Sequence, residues 1–142
     1  MKIVKGPISF DAAHVLPSYD GLCSNLHGHT YKVEVILLSG STEKKDGMLV
    51  DFKVMKEVIM KIIDEYDHAV IINNLSEDNF EIELKNLLLK SNKKVKLLQG
   101  ETTAENIAED IGLKLQETCL TNKFITLGVK LYETPTSYVE VW

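Results

Sequence analysis

Cysteine is nearly absent from this 142-residue chain: Cys23 and Cys119 are its only two thiols. So few, and so far apart, exclude a disulfide framework. Stability must come from an apolar core, and the chain is long enough to build one without staples. Cys119, on the apolar side of a late helical pattern, is expected to be a small buried hydrophobe. A basic excess is missing too. Sixteen Lys and Arg face twenty-one Asp and Glu, for a net charge of −5, which argues against a nucleic-acid groove as the main surface. Local lysines can still meet a small anionic substrate. No apolar run is long enough to span a bilayer, and Met1-Lys2-Ile3-Val4 enters a strand signal without a signal peptide, so a cytoplasmic protein without membrane contact is expected. With no internal repeat or low-complexity linker, the chain is expected to be one domain over residues 1–142.

Histidine is scarce as well, and its placement is the informative feature. Of four histidines, His14, His27 and His29 fall in one short N-terminal stretch. Residues two apart on a β-strand point to the same face. His27 and His29 therefore present two imidazoles side by side, with Gly28 leaving room for close approach. His14 on a neighbouring strand supplies a third. Three nitrogen ligands with one open position is the donor set of a catalytic zinc rather than a structural one. An isolated His-x-His is weak evidence; the strand signal, the third histidine within loop reach and a free Cys23 between them strengthen it.

The rest of the chain alternates strand and helix signals. Ile3 to His14 is β-rich. A turn-rich loop, Val15 to Gly21, leads to Cys23. From His27 to Leu38 the odd positions His27, His29, Tyr31, Val33, Val35 and Leu37 share a face, so the ligands run directly into an apolar stripe. Ser39 to Gly47 reads as a hairpin connection to a strand at Met48-Leu49-Val50. Asp51 is an N-cap for a helix whose stripe is Val54, Met55, Val58, Ile59, Ile62, Ile63 and Tyr66. Asp67-His68 follows its end. Ala69 to Asn74 is a short extended piece, and Ser76 to Lys90 a weaker helix through Phe80, Leu84, Leu87 and Leu88. Val95 to Leu98 is a small strand. Thr102 and Glu105 have capping-box spacing before a helix with Ile107, Ala108, Ile111 and Leu115. Ile125, Leu127, Val129 and Leu131 alternate, with Glu133 in the same parity, and Tyr138 to Trp142 is extended. Hairpin-linked strands with helices between them predict an α+β fold: a four-stranded antiparallel sheet with helices packed on one face.

Six sequence blocks then occur in a telling order: Phe10-Asp11-Ala12-Ala13-His14, Cys23-Ser24-Asn25-Leu26-His27-Gly28-His29, Gly47-Met48-Leu49-Val50-Asp51-Phe52, Asp67-His68, Thr103-Ala104-Glu105-Asn106 and Glu133-Thr134. Together they resemble the 6-pyruvoyl tetrahydropterin synthase / 6-carboxytetrahydropterin synthase family over nearly the whole chain. The resemblance implies the tunnelling fold, or T-fold, in which protomers join their sheets into a β-barrel, form a homohexamer and hold active sites between subunits. It implies zinc on His14, His27 and His29, in agreement with the spacing. It implies Cys23 as general base, Asp67 and His68 as a proton-transfer pair, Glu133 as the anchor of the pterin ring and Thr103 as a further substrate contact.

The substrate implied is 7,8-dihydroneopterin triphosphate. Its products are 6-carboxy-5,6,7,8-tetrahydropterin on the queuosine route or, alternatively, 6-pyruvoyl tetrahydropterin by triphosphate elimination. The three-residue gap between Cys23 and His27 looks like the carboxy-forming branch. Some departures stand out. Thr102 occupies a place where many members carry proline, and Asn74 to Leu98 is longer than in compact members. Relatives lacking the cysteine make a folate precursor by aldol-type cleavage, which Cys23 argues against. From a different class, a non-catalytic zinc-stabilised assembly module would use Cys23 as a fourth ligand and close the site.

Overall fold

The computed structural model describes residues 1–40, 47–118, 120 and 125–142. Its strands are β1 (Lys2–His14), β2 (His27–Ser39), β3 (Ala69–Asn73), β4 (Val95–Leu98), β5 (Ile125–Thr134) and β6 (Ser137–Val141). Its helices are α1 (Phe52–Ile63), α2 (Asn79–Lys90) and α3 (Ala104–Gln116). The strands form one sheet in the order β4-β3-β1-β2-β5-β6. β1 pairs antiparallel with β2, β2 with β5 and β5 with β6.

The α+β class holds, but the expected four antiparallel strands are six in a mixed sheet. β3 runs parallel to β1, and β4 parallel to β3. The physical reason is connectivity: β2 reverses the chain after β1 and the connection through α1 reverses it again, so β3 runs with β1, while the α2 crossover sets β4 parallel to β3. The short pieces around Ala69 and Val95 thereby become sheet members at the β1 side. The expected strand at Met48-Leu49-Val50 is not one; Met48 makes only an isolated bridge, while Val50 packs against the core. Of the expected hairpin over Ser39 to Gly47, residues 41–46 lie outside the described residues, as does Cys119.

Alternation along β2 sets the core. Tyr31, Val33, Val35 and Leu37 are fully buried, as are Val129 and Leu131 of β5 and Met55, Ile59, Ile107, Ile111 and Leu115 of α1 and α3. These two helices cover one face of the sheet. Asp51 caps α1, accepting from the Lys53 N–H at 2.7 Å. The opposite face carries Asp11, Thr30 and Lys32, all exposed. At Gly128 on that face a Cβ would come within 2.7 Å of the Trp142 ring, so a side chain there would displace the indole.

Two expectations about helices change. α2 leaves half of its expected apolar stripe open: Phe80 and Leu87 are 51% and 61% exposed, while Leu84 and Leu88 are half-buried. Its one buried residue is Glu81, whose Oε1 accepts the Asn73 N–H at 2.8 Å where β3 ends. The helix is thus hung on the sheet edge by a carboxylate. Thr102 is not the N-cap of α3. Thr103 is, accepting from Asn106, because Thr102 is wholly buried and its hydroxyl donates to the Val15 carbonyl at 2.9 Å.

A polar cluster ties β4 to both core helices. Buried Lys96 lies 2.9 Å from Glu65 Oε2, 3.1 Å from Asp110 Oδ2 and 4.6 Å from the centre of the Tyr66 ring. The Tyr66 hydroxyl donates to Asp110, and Lys114 pairs with Glu65. The Lys96 and Lys114 ammonium groups outweigh partial burial and hold Glu65 below the usual carboxylate range. This cluster fixes the turn that leaves α1.

Candidate metal centre

Register brings the three histidines together. His14 pairs with His27, and Ala12 with His29, at the ends of β1 and β2. The three rings therefore share the helix-covered face and continue the Phe10–Tyr31 stack, whose ring centres lie 5.0 Å apart. Gly28 faces the other way, and a Cβ on it would sit 3.2 Å from the Ala12 carbonyl oxygen. Its lack of a side chain keeps the two strands close where the ligands start.

Main-chain carbonyls orient two of the rings. His14 Nδ1–H donates to Thr102 O at 2.6 Å, and His27 Nδ1–H donates to Asn25 O at 2.8 Å. Each bond places the proton on Nδ1 and leaves the Nε2 lone pair free, as a metal ligand requires. These two Nε2 atoms are 3.2 Å apart. With both protons committed elsewhere, two lone pairs at that distance repel unless a cation lies between them. Ligands on one tetrahedral zinc, bonded at about 2.0–2.1 Å, stand at about this separation. His29 Nε2 is buried and has no hydrogen-bond partner among the described residues. One nitrogen of each histidine lies within 4.8 Å of the others. The site fits a metal ion.

Electrostatics agree. Burial lowers the pKa of His14 to about 4; the Thr102 bond opposes this, and His27 and His29 reinforce it. His29 is also lowered, by burial first, with the Glu133 carboxylate opposing. These two rings are thus ready to ligate at neutral pH without first shedding protons.

Glu133 approaches from β5. Its Oε1 lies 3.7 Å from His14 Nε2 and 3.8 Å from His29 Nε2, yet among the described residues the mutually convergent set contains the histidines alone. Glu133 lines a cavity of about 230 Å³ with Leu16, Thr103, Glu105 and Tyr138. Thr103 and Glu133, both expected to contact substrate, are therefore in one pocket. The Tyr31 hydroxyl is buried and has no hydrogen-bond partner among the described residues, and burial together with the Glu133 charge keeps it protonated.

Cys23 sits in a short 3₁₀ turn, Leu22–Ser24, between β1 and β2, partly exposed. It stands outside the histidine set, so no thiolate closes the site in this geometry. Asp67 and His68 also stand outside the histidine set, although His68 shares a groove with His29. His68 Nδ1 lies 2.9 Å from Asp67 Oδ2, and Asp67 Oδ1 accepts the Asp11 N–H at 3.0 Å. With Asp11 they form a separate cluster, and His68 and Asp11 line a groove with Ala13, Gly28, His29, Thr30 and Val70. The Asp11 N–H, then His68 and Lys94, hold Asp67 below the usual carboxylate range, with slight burial opposing.

Residues 3–142 match the family described as 6-pyruvoyl tetrahydropterin synthase. The chain belongs to that family. It is 40% identical over 136 residues to the 6-carboxy-5,6,7,8-tetrahydropterin synthase of Haemophilus influenzae, covering 93% of this chain and 92% of that one. It is 34% identical over 138 residues to the enzyme of the same name from Rickettsia conorii, covering 94% and 95%. Among solved structures, the 6-pyruvoyl tetrahydropterin synthase of Plasmodium vivax superposes with a TM-score of 0.73 at 20% identity, over 99% of this chain and 96% of that one, a likeness of fold. The fold is the T-fold.

Three contributors escaped the sequence reading. The carbonyls of Asn25 and Thr102 carry no side-chain signature, since any residue can supply them. The Tyr31 hydroxyl lay hidden in an apolar stripe, where only the ring was legible.

Proposed function

We propose that this protein is a 6-carboxy-5,6,7,8-tetrahydropterin synthase. It is a lyase that, with one water, splits 7,8-dihydroneopterin triphosphate into the carboxylated pterin, acetaldehyde and triphosphate, serving queuosine-type 7-deazapurine synthesis. The observation that carries the reading is the convergence of three imidazole lone pairs beside the Glu133 pocket. The two bacterial relatives bearing that name, matched over nine-tenths of their lengths, support it.

His14, His27 and His29 hold the zinc. When bound, zinc supplies Lewis acidity toward side-chain oxygens of the substrate and acidifies the adjacent C–H. Glu133 accepts two N–H bonds from the pterin's amino and amide edge, a bidentate contact to an ionised acceptor. Thr103 borders the same ring. Cys23 takes the proton from carbon. His68, with Nδ1 held by Asp67, keeps Nε2 free to pass a proton on.

Because Asp67 and His68 open onto the helix-free face, the pair serves a neighbouring copy, which accords with a homohexamer whose sheets close into a barrel around intersubunit sites. Residues 1–142 act as one domain, in the cytoplasm, with neither nucleic acid nor membrane as partner. Incubating zinc-loaded protein with dihydroneopterin triphosphate and identifying products by mass tests the reading. Acetaldehyde with a carboxylated pterin supports it. A pyruvoyl product moves the protein to the eliminating branch, and absence of turnover refutes both.

A further inference from the structure

The Asp67–His68 peptide is held on both edges. His68 sits in the left-handed region at φ 59°, a conformation that costs a non-glycine residue about 1 kcal/mol or more and persists only where neighbours enforce it. On one edge the His68 N–H donates to Asp11 O at 2.6 Å. On the other, Lys94 Nζ donates to Asp67 O at 2.7 Å. The same ammonium donates to the carbonyl of Asp64, just past the end of α1, where helix carbonyls lack intrahelical partners and a cation is favourable. The Lys94 carbonyl in turn accepts the Val70 N–H at 3.1 Å, so one residue grips the turn before and after the pair.

We infer that Lys94 is a positioning residue for Asp67 and His68, fixing through the Asp67 carbonyl the direction in which the imidazole is presented. A peptide unit is planar. With its N–H and C=O both engaged it cannot rotate, and the His68 side chain leaves Cα along a set direction. Without the ammonium one edge is free, and the peptide can turn while Asp11 keeps its hold on the carboxylate. Lys94 itself is exposed and twenty-seven residues from its acceptor. Its replacement opens no cavity, which separates its effect from that of a core change. The inference rests on the reading of Asp67–His68 as the proton-transfer pair.

The test is steady-state kinetics of zinc-loaded Lys94→Met, Lys94→Arg, His68→Gln and the Lys94→Met/His68→Gln double variant on dihydroneopterin triphosphate. Amide exchange at His68 is followed alongside. Lys94→Met is expected to lower kcat about tenfold with KM within about twofold, a fraction of what full loss of an acid–base group costs. Lys94→Arg, which can bridge both carbonyls, is expected to restore most of it, and His68 amide exchange is expected to accelerate in Lys94→Met alone. In the His68→Gln background the same change is expected to do nothing more, because groups acting through one another are not additive. A Lys94→Met enzyme with normal kcat beside a crippled His68→Gln enzyme overturns the role of Lys94 and leaves the site reading intact. Equal losses in both backgrounds also overturn it. A fully active His68→Gln enzyme overturns the site reading and the inference together.

Discussion

Replacing Thr102 by valine removes one oxygen and leaves the side-chain shape. Thr102 is fully buried, and its hydroxyl is 2.9 Å from the carbonyl of Val15, itself 1% exposed. In the variant that carbonyl loses the hydroxyl donor in a place closed to bulk water, at a cost of about 1–3 kcal/mol. In a domain of this size, that lowers the melting temperature of the metal-free protein by roughly 3–10 °C. The consequence extends to the metal, because the carbonyl of the same residue orients His14. If the Thr102 backbone shifts once unanchored, zinc affinity should fall about tenfold, the lower end of losses seen when a ligand's hydrogen-bond partner is disturbed. Calorimetry of the metal-free protein and zinc titration against a competing chelator measure the two effects. A melting temperature and an affinity both equal to those of the parent protein would refute the idea that this buried threonine holds the ligand strand.

Cys23→Ala should abolish turnover while zinc content stays unchanged, as metal analysis can check; loss of the ion would instead make the thiol a ligand. His14 should make the metal-free protein acid-sensitive. Its value of about 4 lies below the ordinary 6.5, so the unfolded chain takes up a proton that the folded chain refuses. Its contribution to stability is complete above pH 6.5 and is lost as pH falls toward 4, by about 3 kcal/mol in total. Urea unfolding at pH 7 and pH 4.5 should show a smaller loss in His14→Gln, and parallel losses would refute this. Lys96→Met should cost about 1–2 kcal/mol by urea unfolding, since Glu65 and Asp110 lose a buried partner but keep Lys114 and some water.

The parts of the molecule legible in the sequence are those where side-chain pattern alone decides geometry. The odd positions of β2 alternate as the pleat demands, so the histidines and the core stripe could be read from one periodicity. Asp51 announced α1. What escaped depends on partners distant in sequence. The parallel pairing of β3 and β4 is set by how helices return the chain. The outward apolar positions of α2 follow from its place at a sheet edge, where little core remains to cover. Thr102 and Glu105 matched a capping pattern, but burial of the Thr102 hydroxyl against Val15 moved the cap one residue on. Asp67 and His68 were legible as a pair, while the side of the sheet they occupy was not, since that follows from the bonds to Asp11.

That side has a consequence for the chain in isolation. Side-chain rotation can swing an imidazole across a groove but cannot carry it through a layer of hydrogen-bonded strands. On the intersubunit reading proposed above, His68 therefore meets the thiol of another copy rather than that of its own chain. Under that proposal catalysis needs an encounter between copies: two inactive variants, one lacking Cys23 and the other lacking His68, should revive each other when mixed, and a mixture that stays inactive would refute it.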